Sequence, residues 1–253
     1  MDTTPEETTT DPLMAALFAL ARGLPRQGPG SDATTRRLLA MAGPLPPQPR
    51  VLDVGCGPGR SALVLAEEAG AEVTALDLHG PFLRELDRAA VTRGLDHRIR
   101  TVRGSMADLP FADGGFDLVW AEGSAYNIGF DAALASWRRL LAPGGALVVT
   151  ECEWATDAPS APARAFWDGV YRLRTGEENT AAARSAGYTV TGRYPLPDSD
   201  WFDEYYTPLS ERADAADPTA PAMPEAVAAT RREIAMRREH GTDYQYTGYV
   251  LRP

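Results

Sequence analysis

The feature that most constrains this chain is a glycine turn, Gly55-Cys56-Gly57-Pro58-Gly59, set directly after the apolar run Val51-Leu52-Asp53-Val54 and directly before a helical stretch over 61–69. A turn of this kind lets backbone approach a ligand where a side chain would block it. By itself it is equally consistent with a tight strand-to-helix connection that binds nothing.

The chain that follows alternates. A second strand over 71–76 ends at Asp77, a helix covers 81–92 with Phe82, Leu83, Leu86 and Ala90 at helical spacing, and a third strand covers 99–102. Asp113-Gly114-Gly115 introduces a fourth strand over 116–120. A helix over 132–141 stops at Pro143-Gly144-Gly145, and a fifth strand covers 146–150. Strands and helices alternating at this spacing predict an α/β fold with a parallel sheet covered on both faces.

Beyond residue 152 the pattern loosens. Helices are expected over 166–174 and 180–186, and strands over 188–194 and 246–251. Between those strands lie about fifty residues with Trp201, Phe202, Tyr205 and Tyr206, then a basic helix over 225–239. Ahead of the glycine turn, residues 1–11 read as a disordered acidic tail. A short helix covers 13–21, Ser31-Asp32 caps a second, and four prolines over 44–49 make a linker.

Asp77 stands 24 positions after Asp53, where a carboxylate can take both hydroxyls of a ribose. Dinucleotide enzymes share that feature, but their fingerprint needs a third glycine at position 60, and this chain has Arg60. A phosphate-free adenosyl ligand does not need that glycine, so an NAD-dependent oxidoreductase is the weaker reading.

Residues 51–59 resemble motif I of the class I S-adenosylmethionine (SAM)-dependent methyltransferases. The likeness continues through Asp77, Gly104-Ser105-Met106-Ala107-Asp108-Leu109-Pro110-Phe111, Phe116-Asp117-Leu118-Val119 and Leu141-Ala142-Pro143-Gly144-Gly145, and so covers about residues 50–152. The resemblance implies a Rossmann-like seven-stranded sheet of order 3-2-1-4-5-7-6 with strand 7 antiparallel, the 188–194 and 246–251 strands forming the last pair. It implies N-terminal helices and linker over 12–49 and a methyltransferase domain over 50–253. Residues 196–243 form a helical insertion between strands 6 and 7 that serves as lid or acceptor-site wall.

The resemblance also implies roles. Asp53 orients the turn; Gly55, Gly57 and Gly59 line the methionine and ribose; Asp77 binds the ribose hydroxyls, with Leu78 beside adenine. Asp108 accepts from the adenine amino group, with the Met106 and Ala107 backbone alongside. For Asp53, Asp108 and Asp117 the alternative is turn capping.

The segment after strand 4 resembles small-molecule methyltransferases related to the ubiquinone/menaquinone group. Glu122 is there a base or a polar contact to acceptor or cofactor, or else a solvated or capping carboxylate. Tyr126 and Asn127 are similar candidates, and Asn127 can instead cap the helix beginning near Asp131. Trp201, Phe202, Tyr205 and Tyr206 share one broad helical face, either packing as a lid or walling an acceptor site that Trp154 joins; a cationic acceptor would suit such rings. His79 is expected to face adenine or solvent, His97 and His240 to be exposed, and Cys56 and Cys152 to be buried fillers.

Composition sets the partners. A net charge of -10 disfavours nucleic acid and anionic lipid. No apolar run approaches the roughly 18 residues that span a bilayer, and the amino terminus has no basic region of the signal-peptide kind. A cytoplasmic enzyme is expected, acting on a small-molecule acceptor, with no metal site and with a homodimer left open. A SAM-dependent protein methyltransferase, or a methyltransferase-fold cyclase that transfers no methyl group, are the alternatives.

Overall fold

A computed structural model describes residues 11–253. The disordered-tail expectation for 1–11 falls, apart from Asp11, outside the described residues. The first strand, β1 (Arg50–Val54), is buried from Val51 to Val54, which a central parallel strand requires. It pairs in parallel with β2 (Glu72–Asp77) and β4 (Phe116–Glu122), and β2 pairs with β3 (Ile99–Arg103). The long strand β5 (Leu141–Trp154) lies parallel to β4 and antiparallel to β8 (Tyr244–Arg252), which pairs antiparallel with β7 (Thr189–Pro195).

The order β3-β2-β1-β4-β5-β8-β7 is the expected one, with the penultimate strand in space reversed. One strand is additional: β6 (Arg174–Thr175) pairs with the end of β5, making eight.

Before β1, α1 (Pro12–Ala21) is capped by Asp11 and α2 (Asp32–Met41) by Ser31. Helices α3 (Arg60–Ala69) and α4 (Gly80–Arg93) carry their apolar stripes to one sheet face, and both end at a left-handed glycine, Gly70 and Gly94. Helices α5 (Phe130–Trp137) and α7 (Gly176–Ser185) cover the other face; α7 starts with a capping box of Thr175 and Glu178. Three expected helices are shifted, the one at 180–186 being α7, which begins at Gly176 behind its capping box. The one at 132–141 begins and ends earlier, because Leu141 already pairs with Phe116 as strand. The one at 166–174 is α6 (Ala161–Asp168), since Ser160 caps it with Pro162 in the first turn and the chain turns out at Gly169.

A third apolar cluster lies at the carboxyl end of β5. Leu20 of α1 and Trp167 of α6 meet Cys152, Tyr244 and Tyr246 there. So do Trp201 of α8 (Ser199–Trp201), Leu209 of α9 (Thr207–Asp214) and Ile234 of α10 (Met223–His240). A π-helical turn, Phe202–Tyr206, joins α8 to α9. His240, expected in solvent, is partly covered at the end of α10, its Nδ1 3.0 Å from Ser160 Oγ, whereas His97 is exposed.

Candidate functional site

The carboxyl ends of β1, β2 and β4 converge on the glycine turn. Gly55 N and Cys56 N donate to Leu76 O, binding the turn to β2. Gly55 and Gly57 take φ of 71° and 54°, in the left-handed region that side chains disfavour. A Cβ on Gly55 would lie 2.6 Å from Ser124 Cβ, so the bare backbone is what lets the loop after β4 close against the turn. Gly59 faces the other way: its Cβ would strike Leu86 Cδ1 at 2.3 Å, so its place is at the packing of α3 on α4.

Asp77 bridges this turn. Its Oδ2 accepts from Gly57 N at 2.8 Å and its Oδ1 from His79 N at 2.8 Å. Beside it Leu78 is 67% exposed, unusual for a large apolar residue. Met106 flanks Gly55, while Ala107 and Asp108 are exposed on the following turn. Asp53 lies deepest. One of its oxygens accepts from Ser61 Oγ at 3.1 Å, but Oδ1 is buried with no hydrogen-bond partner. Burial, with Glu122 and Asp77 adding to it, pushes this carboxyl up to about 8.

A roof lies over the turn. The stretch 22–31 passes close enough that Gln27 Cγ lies 3.6 Å from where a Gly57 Cβ would be. Phe18 of α1 stacks on His79 at 4.5 Å, and Phe82 meets the same ring edge-on, so His79 faces an aromatic pair; burial depresses its imidazole. Arg26 pins the roof. It donates to Glu122 at 2.6 Å, to Glu204 of the π turn at 3.2 Å and to Asp32 at 3.3 Å, with 7% of its side chain exposed. Burial alone would lower its guanidinium, but Glu122, Glu204 and Asp32 overcome that and raise it. Gly30 N and Thr34 Oγ1 both donate to Asp200 of α8, so the roof and the 196–243 insertion are joined. Arg60 makes a bidentate pair with Asp32, tying α2 to α3.

The Glu122 carboxylate is held on both oxygens: Oε2 by Arg26, Oε1 by Thr35 Oγ1 at 2.7 Å and Trp120 Nε1 at 3.0 Å. Both oxygens are thus occupied by the protein's own donors. Asp117 pairs with Arg50 through side chain and backbone N–H, joining β4 to β1 instead of capping a turn. Asn127 donates to Ser124 O; the cap of α5 is Gly129.

Among the aromatic residues of the insertion and its neighbours the rings divide. Trp201 and Tyr206 are buried in the third cluster. The Trp201 face is already taken by the Arg237 guanidinium at 4.0 Å. Tyr205 stacks on Tyr206, and Tyr206 Oη donates to Glu233 of α10 at 2.8 Å. Trp154 packs against the same cluster. Tyr126, 40% exposed, stacks on Tyr171 with ring centres 5.2 Å apart.

Sequence reading missed Glu151, Tyr171, Tyr246 and Glu233. The signal for Glu151 was present: two glutamates alternate with Cys152 and Trp154 along a strand that is otherwise buried and apolar. Cys56 and Cys152 are buried free thiols, raised by burial.

Residues 51–145 match a family model described as "Methyltransferase domain". Among curated proteins the chain is similar to a sarcosine/dimethylglycine N-methyltransferase of Halorhodospira halochloris, 33% identical over 151 residues, covering 59% of this chain and 54% of the relative. It is also similar to a demethylmenaquinone methyltransferase of Thermus thermophilus, 42% identical over 104 residues, covering 40% and 46%. The chain thus spans about half the length of these relatives. Among solved structures, a SAM-dependent methyltransferase from Geobacter sulfurreducens in complex with S-adenosylhomocysteine superposes with a TM-score of 0.81 at 20% identity, covering 96% of this chain and 98% of that one. At that identity the likeness is one of fold.

Proposed function

We propose that the chain is a class I SAM-dependent methyltransferase, in line with its methyltransferase-domain match over 51–145, and that it methylates a small-molecule acceptor under the joined roof of residues 22–31 and 196–243. The observation that carries this reading is the orphaned Asp53 Oδ1, buried behind a glycine turn that Asp77 clasps. A buried oxygen without a donor costs stability unless a ligand supplies one. The site's residues fit an adenosyl-amino acid: left-handed Gly57 leaves room along the turn, Asp77 offers two oxygens, and Leu78 offers an apolar surface.

When bound, SAM supplies a methyl group on a sulfonium, open to direct displacement. The protein's part is to hold and exclude. Asp77 would exchange its Gly57 and His79 partners for ribose hydroxyls. Leu78, the Met106–Ala107 backbone and Asp108 would flank and pair the adenine, and Gly59 would act only through helix packing. Arg26 and Glu122 would act as the roof's anchor, Glu122 holding the strap and not serving as a base. Trp154, Tyr205 and Tyr206 would belong to the acceptor wall, with Trp201 behind it. Tyr126 would line the acceptor side, with Asn127 fixing its loop.

The relatives' names span an amine and a quinone, so the shared residues 51–145 support the donor half and leave the acceptor to the remainder of the chain. No helix among the described residues is long and apolar enough to cross a membrane, in keeping with a proposed cytoplasmic setting. Incubation of the protein and a small-molecule extract with methyl-labelled SAM tests the reading. Label is expected in low-mass products; label confined to protein would contradict it.

A further inference from the structure

Two glutamates two residues apart on one face of β5 are treated in opposite ways. Glu153 is claimed by Asn179, Arg193, Gln245, Thr247 and Tyr249, and its carboxylate is fully answered. Glu151 is as deeply buried, at 5% exposure, yet among the described residues it forms no salt bridge. Arg174 stands within electrostatic reach, but both its terminal nitrogens are committed to Asp131 at 2.7 and 2.6 Å. Beside it the Tyr171 hydroxyl, a neutral donor, offers Glu151 its hydrogen but no charge.

Position ties Glu151 to the glycine turn. Gly55 packs on Ser124, the neighbouring Gly123 N donates to Thr150 Oγ1 at 2.8 Å, and Glu151 is the next residue. Around it stand aromatic rings: Tyr171, stacked on Tyr126, and Tyr246 of β8, whose hydroxyl feels both. From the roof, the partly buried Glu233 holds only the Tyr206 hydroxyl and bears electrostatically on Tyr126 as Glu151 does.

We infer that Glu151, Tyr126, Tyr171 and Tyr246, faced by Tyr206 and Glu233, form the acceptor site and that it takes a cationic amine. The word acceptor rests on the methyltransferase reading; the affinity for a cation does not. Two other buried glutamates are met by arginine, Glu122 by Arg26 and Glu153 by Arg193. Glu151 and Glu233 both bear on Tyr126, and among the described residues neither is in a salt bridge, while tyrosine faces add further attraction for an ammonium. A bound ammonium can pass one proton to the Glu151 carboxylate: the N–H bond breaks, the O–H bond forms, and the nitrogen keeps the electron pair a methyl transfer needs.

The charges facing Glu151 decide the readout. Burial, with Glu153 of its own strand adding to it, pushes its carboxyl up to about 8; Arg174 of β6 and the Tyr171 hydroxyl offset part of this. Near neutral pH the empty site therefore holds a proton that an entering cation must expel.

The test is calorimetric titration of the full chain with phenyltrimethylammonium, which cannot itself titrate, near pH 7 in two buffers of different ionisation heat, with and without S-adenosylhomocysteine. 2-Phenylethanol and phenylacetate are the neutral and anionic controls. The expected result is cation binding at least tenfold tighter than either control, with release of about one proton per cation. Glu151→Gln should abolish that release and weaken the cation at least tenfold while S-adenosylhomocysteine binds as before. No preference for the cation, or proton release and affinity unchanged in Glu151→Gln, overturns the inference. Loss of S-adenosylhomocysteine binding in the native protein with cation binding intact would instead break the methyltransferase reading and leave the cation site standing.

Discussion

The two ends of the site are built from different materials. The donor end is local chain: β1, the glycine turn and β2 lie within residues 50–77, and their hydrogen bonds are largely backbone, as in Gly55 N and Cys56 N to Leu76 O. The roof and acceptor end is assembled from distant pieces, Arg26 meeting Glu122 and Glu204, Tyr126 meeting Tyr171, and Tyr206 meeting Glu233, through side chains. Backbone geometry suits a ligand part that never changes. Side-chain assembly suits a part that differs from one enzyme to the next, because it changes by substitution without disturbing the sheet.

The largest effect should come from the pin between the two ends. Arg26→Met leaves Glu122 buried without its cation and is expected to cost about 3–5 kcal/mol in urea denaturation. The same change at Arg50, half-exposed beside Asp117, should cost about 0–1 kcal/mol. Equal costs would mean that the roof is not held by Arg26.

Next comes Gly55→Ala. It forces a Cβ against Ser124 in a left-handed conformation, so about 1–3 kcal/mol of stability should be lost. S-adenosylhomocysteine affinity should fall with it, as the loop after β4 is pushed off the turn. A variant that binds undiminished would show that this loop does not need to close on the turn.

How much of this was legible follows the same division. Val51, Leu52 and Val54, the glycine spacing and the strand-ending Asp77 are readable because neighbours in sequence set their conformation. The sheet order is implied by the methyltransferase resemblance and not by those elements alone. Glu122 was singled out, but Arg26, 96 residues away, is what fixes its role, and nothing in the local chain announces that pair. Trp201 is readable either as lid packing or as acceptor wall, and the Arg237 of α10 that covers it is not announced by the local chain. Helix α6 begins ahead of the expected 166–174 because Ser160 with Pro162 sets its start. Glu151 was legible as a charge in a buried strand but not as an unanswered one.

A smaller effect separates the two ends by pH. Asp53 and Glu151 are each raised by burial, from 3.8 and 4.5 to about 8. In the unfolded chain they ionise near their ordinary values, so the folded protein binds more protons between those limits. Their contribution to stability is full below about pH 4, declines as pH rises, and is gone above about pH 8. The thermal midpoint of the ligand-free protein should therefore fall between about pH 7 and pH 9. Asp53→Asn and Glu151→Gln should each flatten the fall, and a midpoint that rises over this range would contradict the burial of both groups.

The smallest effect is expected at Tyr126→Phe. The ring stack on Tyr171 is kept, stability should change by no more than about 0.5 kcal/mol, and S-adenosylhomocysteine affinity should not move. A loss of that affinity would place Tyr126 at the donor end and blur the division drawn above.

The donor end is tested most directly by titrating the native protein and Asp77→Ala with S-adenosylhomocysteine while monitoring the fold by circular dichroism. Native binding on the order of micromolar, weakened at least tenfold in a variant that keeps its fold, is the expected result. Equal affinity in the two proteins, or no binding by the native chain, would contradict it.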